Sequence, residues 1–249
     1  MPVKNLNMKN IKIYGLLFFI FCAIMVYVSV SNDSARGQEV SEHEWISLFD
    51  GKTLNGWKRY NADTTGTIWK VEEGAIHCSK PVNKNINGGK SLITLEHFKN
   101  FELELEWKIE RGGNSGIFYH VIEDTKLSRA FASGPEYQII DAENWKEPLS
   151  NNRKTAGCYD MFAANQKTEL YPPGQWNSSR IKYYNGNVQH WLNGVKVLEF
   201  TEKSEEWYQN YKKSKWVDFP FWCSEKKGAI GLQFEGRPTW FKSIRIRHI

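Results

Sequence analysis

G-G-N-S-G-I-F-Y-H-V (Gly112–Val121) and G-P-E-Y-Q-I-I-D (Gly134–Asp141) decide the reading of this chain. Each is a short apolar-rich run entered through glycine or Gly-Pro, so each reads as a β-strand. Side chains alternate faces along a strand, which sends Ile117, Tyr119 and Val121 one way and Asn114, Phe118 and His120 the other. In the second run Tyr137 and Ile139 share a face, and Glu136 and Gln138 share the opposite one. Pairing the two strands places His120, Glu136 and Gln138 on one polar wall with an apolar core behind it. That wall is the candidate site.

Working outward, the same alternation recurs. Phe101, Leu103, Leu105, Trp107 and Ile109 alternate with Glu102, Glu104, Glu106, Lys108 and Glu110, giving a strand with one core face and one wet face. Its glutamates read as solvated surface. Further short strands are expected at Thr67–Val71, Ala75–Ser79, Ser91–Leu95, Cys158–Ala163, Trp176–Tyr184, Asn187–Asn193, Val195–Phe200, Ala229–Phe234 and Thr239–Ile249. Asn185-Gly186 and Asn193-Gly194 supply hairpin turns. Ser204 to Ser214 is the one convincing helix, with Ser204 as cap, Glu205 and Glu206 at its positive end, and Trp207 and Tyr211 on one face. About a dozen short strands and one helix make the class all-β, a sandwich of two sheets.

Composition agrees. The 249 residues include 11 Trp and 11 Tyr, which suit a β-sandwich core and a sugar-binding cleft alike. Net charge is +5, and Lys4, Lys9 and Lys12 belong to an N-terminal segment whose removal leaves +2. No basic stripe is present, so no nucleic-acid partner is expected. Those lysines precede an apolar run, Ile13 to Val30, and a polar stretch. Residues 1–31 therefore read as a signal peptide, with Ser29-Val-Ser31 as a cleavage site, or as an uncleaved membrane anchor; 32–44 read as a linker and 45–249 as the domain. The protein is expected to be exported, to the periplasm or beyond, with a possible membrane tether. Cys22 falls in the apolar segment. Cys78, Cys158 and Cys223 remain, and read as buried thiols.

Several motifs in series carry a resemblance. L-F-D-G-K-T-L-N-G-W (Leu48–Trp57), G-N-S-G-I-F-Y-H (Gly113–His120), G-P-E-Y-Q-I-I-D, H-W-L-N-G (His190–Gly194) and G-A-I-G-L-Q-F-E-G-R-P-T-W-F-K-S-I-R-I-R (Gly228–Arg247) occur in order from Trp45 to Ile249. Together they resemble the 3-keto-disaccharide hydrolase domain family. The resemblance implies a concanavalin A-like jelly-roll sandwich, an exported protein, a sugar ligand on the concave sheet, and cleavage of glycosides oxidised at carbon 3. In one place the chain departs from the family. The late motif G-L-Q-D-H-G reads G-L-Q-F-E-G here, with Phe234 and Glu235 in place of the usual Asp and His.

A ketone at carbon 3 acidifies the proton on carbon 2, and its removal gives an enolate that can expel the carbon 1 substituent before water adds back. The chemistry needs a base, a donor or cation at the enolate oxygen, and a proton for the leaving group. Glu136 is the candidate base, with Gln138 orienting hydroxyls. His120 is the candidate donor, and Glu235, in phase with Gln233, is the second acid–base group. Asn114, Phe118, Gln233, Trp191 and Asn193 are candidate substrate contacts, the last two if His190 turns to the core. Arg153 and Asp160 flank the cleft and also read as an ion pair. Two other readings stay open at this stage: a sugar-binding module without catalysis, and an ordinary glycosidase using Glu136 and Glu235 at a separation of about 5–10 Å. Sandwiches of this kind often hold calcium, but no D-x-D-x-D loop occurs, so the metal is left open.

Overall fold

The computed structural model describes residues 44–79, 91–165 and 167–249. The expected signal peptide or anchor, and the linker up to residue 43, lie outside the described residues.

Among the described residues, thirteen strands form two antiparallel sheets. In chain order they are β1 Ile46–Ser47, β2 Trp57–Arg59, β3 Trp69–Glu72, β4 Ala75–Cys78, β5 Leu92–Phe98, β6 Phe101–Ile109 and β7 Asn114–Val121. They continue with β8 Glu136–Ile140, β9 Asn177–Tyr184, β10 Asn187–Leu192, β11 Val195–Thr201, β12 Gly228–Leu232 and β13 Thr239–His248. The larger sheet runs β11-β10-β9-β6-β13-β4-β3, with β1 added alongside β13. The smaller runs β2-β5-β12-β7-β8. This is the two-sheet sandwich that the alternation predicts, in the jelly-roll form that the resemblance implies.

The core lies between the sheets. Phe101, Leu103, Leu105 and Trp107 of β6 meet Ile117, Tyr119, Tyr137 and Ile139 of β7 and β8, all buried. Truncating one of these large side chains to alanine costs roughly 3–5 kcal/mol. Asn185-Gly186 and Asn193-Gly194 both adopt positive φ, at 48° and 89° and at 48° and 81°. That is the twist-matched hairpin turn their sequence dictates.

The helix α1 spans Glu205–Tyr211, shorter than the periodicity suggests, and Ser204 Oγ accepts from Trp207 N–H at 3.2 Å. Trp207 stacks on Tyr211 and Trp222, and Trp222 stacks on Trp216 at 4.8 Å between ring centroids. The chain from α1 to β12 is therefore pinned to the sandwich by aromatic stacking.

One expected strand is absent. Cys158–Ala163 forms only single bridges, Tyr137 to Cys158 and Cys158 to Phe162, because the chain turns back sharply through Asp160 at φ 61°. Cys78, Cys158 and Cys223 are free, buried thiols.

Candidate active site

Glu136 opens β8 and is only 3% exposed. The register pairs it with Phe118 and pairs Gln138 with Gly116, so both polar side chains stand on the face of the smaller sheet that turns away from the core. Gly116 makes room for the carboxyl: a Cβ there would lie 2.2 Å from Glu136 Oε1. The Gln233 side chain donates to the carboxylate, and Gln233 is itself fixed by backbone bonds to Gly116 and Ser115. Burial raises the Glu136 pKa to about 8, nearby Glu235 pushes in the same direction, and Lys215 pulls the other way.

Lys215 is the residue that sequence reasoning missed. It begins a 3₁₀ turn, Lys215–Asp218, capped by Ser214, whose Oγ accepts from Trp216 N–H. Its ammonium lies 4.4 Å from the ring of Trp216, 4.6 Å from Tyr159 and 5.0 Å from Phe131. Among the described residues it touches no carboxylate directly. Its main chain is held instead: Asp160 Oδ2 accepts from Lys215 N–H at 2.8 Å, and Asp160 Oδ1 accepts from Arg153 Nε at 2.7 Å. The result is a half-buried cation in an aromatic cage, with Glu136 and Glu235 as its neighbouring charges. Desolvation lowers its pKa while those carboxylates and Asp160 raise it. No periodicity or motif marks it. The one available signal was a lone lysine between Ser214 and Trp216, which looks like ordinary surface.

Glu235 lies beyond the end of β12, in the loop rather than in phase on the strand. Its side chain reaches the surface, yet crowding protein raises the carboxyl pKa while Arg129 and Lys215 draw it back. Phe234, beside it, is buried in the core. Two buried acceptors here have no partner within the protein: Asn114 Oδ1 and Gln233 Oε1. Unpaired buried oxygens are costly, so both suit substrate hydroxyls. Gln138 stands beside Glu136 but is buried, its Oε1 accepting from Ile139 N–H.

The wall is smaller than the alternation predicts. His120 points into the core. At φ 54° it forms a bulge, since Phe118 and Val121 of β7 span the distance from Gly231 to Ala229 of β12 with one residue extra. The bulge turns the ring inward, 4.2 Å from that of Tyr183, with Nε2 at 2.9 Å from Lys99 O. Gly228 backs onto it so closely that a Cβ would sit 2.4 Å from the His120 carbonyl carbon. Val121 is consequently turned to the same side as Phe118. Phe118 is fully buried against Tyr60, Ile93, Leu127 and Ala130, and offers no surface to a substrate.

Trp191 and Asn193 belong elsewhere. His190 does turn to the core, its Nδ1 2.9 Å from Ala156 O, but this sends Trp191 to the outer face of the other sheet. Asn193 is a turn residue, bonded to Ser178, Glu169 and Asn177. Arg153 and Asp160 form the ion pair described above and border the site through Lys215. Two cavities, of about 560 and 650 Å³, lie away from Glu136. Among the described residues no three His, Cys, Asp or Glu side chains converge as a group that could hold a metal ion.

What this arrangement offers is a buried proton-transfer carboxyl, a caged cation, a second carboxyl at the rim and unpaired acceptors. Residues 44–247 match the model of the 3-keto-alpha-glucoside-1,2-lyase-like domain. The chain belongs to that family. It is thus a glycoside-cleaving enzyme of the hydrolase or lyase type. A 3-keto-disaccharide hydrolase of Bacteroides thetaiotaomicron is 36% identical over 226 residues, covering 82% of this chain and 78% of that protein. A protein of Parabacteroides distasonis, assigned as a glycosyl hydrolase and solved by crystallography, is 35% identical with a TM-score of 0.77, covering 86% of this chain and 97% of that one. A second from that organism is 28% identical with a TM-score of 0.62, covering 83% and 100%.

Proposed function

We propose that this family member is an exported enzyme that cleaves 3-keto-disaccharides or other 3-keto-glycosides by elimination followed by hydration. The observation that carries the reading is the pairing of a buried carboxyl, Glu136, with the caged ammonium of Lys215 and no direct ion pair between them. The curated Bacteroides relative, named for 3-keto-disaccharide hydrolysis, supports the substrate class. The N-terminal lysines and apolar run support export.

Glu136 as carboxylate takes the proton from carbon 2. The electron pair of the broken C–H bond moves onto the ketone oxygen, and Lys215 stabilises the resulting enolate charge in a site where water offers little competition. The enolate then re-forms the ketone, a double bond forms between carbons 1 and 2, and the C1–O bond breaks with its electrons on the leaving oxygen. That oxygen takes a proton from Glu235, or from Glu136 now protonated. Water adds to carbon 1 and carbon 2 regains a proton, so the sum is hydrolysis. A carboxyl with a pKa near 8 suits the work, since it both accepts and returns a proton near neutral pH.

The test is turnover of a 3-keto-disaccharide and its unoxidised parent in deuterated water. The keto substrate alone should be cleaved, with deuterium at carbon 2 of the released sugar, and Glu136→Gln should abolish cleavage while the fold survives. Cleavage of the unoxidised parent, or product without deuterium, would discard the mechanism.

A further inference from the structure

On the opposite side of the sandwich, one row of side chains crosses five strands of the larger sheet. Register aligns Trp191 of β10 with Arg180 of β9, Arg180 with Glu104 of β6, Glu104 with Arg245 of β13, and Arg245 with Ser47 of β1, next to Trp45. Contacts close the row. The Arg180 guanidinium lies 5.5 Å from the Trp191 ring and its Nη2 2.6 Å from Glu104 Oε1. Arg245 reaches Glu104 Oε2 through Nε at 2.9 Å and Nη2 at 2.5 Å, and lies 4.6 Å from the ring of Trp45. The row lines the 650 Å³ groove, whose floor includes Leu105.

We infer that this groove is a second binding site, for a neutral oligosaccharide lying across the strands. Four inter-strand spacings separate the columns bearing the two tryptophans, roughly 19 Å, a span for several sugar rings and too long for one. An indole at each end provides a platform for the apolar face of a sugar ring. Between them Arg180 and Arg245 are both paired with Glu104, Arg180 also with Glu102, and Glu106, which lines the groove too, is paired with Lys242. Each charge is thus already partnered, and the surface keeps little field to draw a polyanion or a polycation. Its value to a ligand is directional. Glu104 holds both guanidiniums in place, and Arg245, having used Nε and Nη2, keeps Nη1 for a hydroxyl. The guanidiniums of Arg180 and Arg245 hold the two indoles in place, and each tryptophan stays partly exposed, with ring surface open to a ligand. The groove occupies the face opposite Glu136, so it can hold a glycan chain while the other face acts.

The experiment is titration of the full-length protein with cellohexaose, maltohexaose and laminarihexaose, followed by tryptophan fluorescence and calorimetry, with glucose as control. At least one hexasaccharide should bind, at least tenfold tighter than glucose. Trp45→Ala and Trp191→Ala should each weaken it at least tenfold, with circular dichroism and cleavage of a small keto substrate unchanged. Failure of all three hexasaccharides to bind at millimolar concentration would overturn the inference. So would undiminished binding in the double tryptophan variant, or loss of binding in Glu136→Gln in place of the tryptophan variants.

Discussion

Gly116 and Glu136 fit together as cradle and contents: a single methyl group on Gly116 would lie 2.2 Å from the carboxyl oxygen and within 2.9 Å of Cγ and Cδ. The whole side chain would have to move, since three of its atoms are too close. Gly116→Ala should therefore lower kcat by about 10²-fold or more, as expected for a misplaced reacting group, while the fold persists. Steady-state kinetics with a thermal melt checks this. Full activity in a folded Gly116→Ala protein would show that Glu136 need not occupy this position.

Lys215→Met keeps the bulk that fills the cage of Phe131, Tyr159 and Trp216 but removes the charge. Loss of one preorganised stabilising group typically costs about 10²–10³ in kcat, and that loss is expected here with KM little changed. The acidic limb of the pH–rate profile should also move upward, because Glu136 works as the carboxylate and Lys215 is the cation that holds its pKa down. Both readouts come from one pH series.

Asp160 acts through Lys215 rather than on a substrate. Asp160→Asn keeps an oxygen but loses the charge that grips Arg153. Arg153 is partly exposed, so the stability loss should be modest, about 1–2 kcal/mol. Activity should drop about tenfold, for a loosened cation, with kcat affected more than KM. Chemical denaturation and kinetics on the same preparation separate the two effects.

Stability should fall on both sides of neutrality, for different groups. Burial lowers the pKa of His120 and of His190 from 6.5 to about 4, so the folded state prefers both rings neutral. That preference stabilises the fold fully above pH 6.5 and is lost as pH falls towards 4, by about 3 kcal/mol per ring at most. Glu136 has the opposite sign. Its folded pKa is raised from 4.5 to about 8, so stability is lost as pH climbs through that interval. Glu136→Gln should thus melt higher than the parent at pH 8 to 9 and similarly near pH 4, while His190→Gln should blunt the acid loss. Melting curves from pH 4 to 9 test both.

Alternation works wherever the pleat is regular, and fails where a single residue breaks it. On β6, β8 and β9 the core and outer faces follow the sequence residue by residue, and Glu136 and Gln138 share the face of β8 that turns from the core. On β7 the positive-φ bulge at His120 flips the parity from that residue onward. Nothing in I-F-Y-H-V announces it, because the cause lies across the sheet, in Gly228 and the spacing of β12. Trp191 was misplaced for a different reason. Its parity relative to His190 was right, but parity cannot say which of two sheets a strand joins.

The sequence by itself determined the sandwich, its hairpin turns, the capped helix and the candidate carboxyl, since each depends on neighbours within a few positions along the chain. Only the tertiary structure decided that His120 is core, that Lys215 stands beside Glu136, and that Trp45 and Trp191 share a groove. The residues that meet at those places are tens of positions apart or more. Bulge geometry, aromatic caging and sheet order arise from packing between distant segments, and no local pattern encodes them.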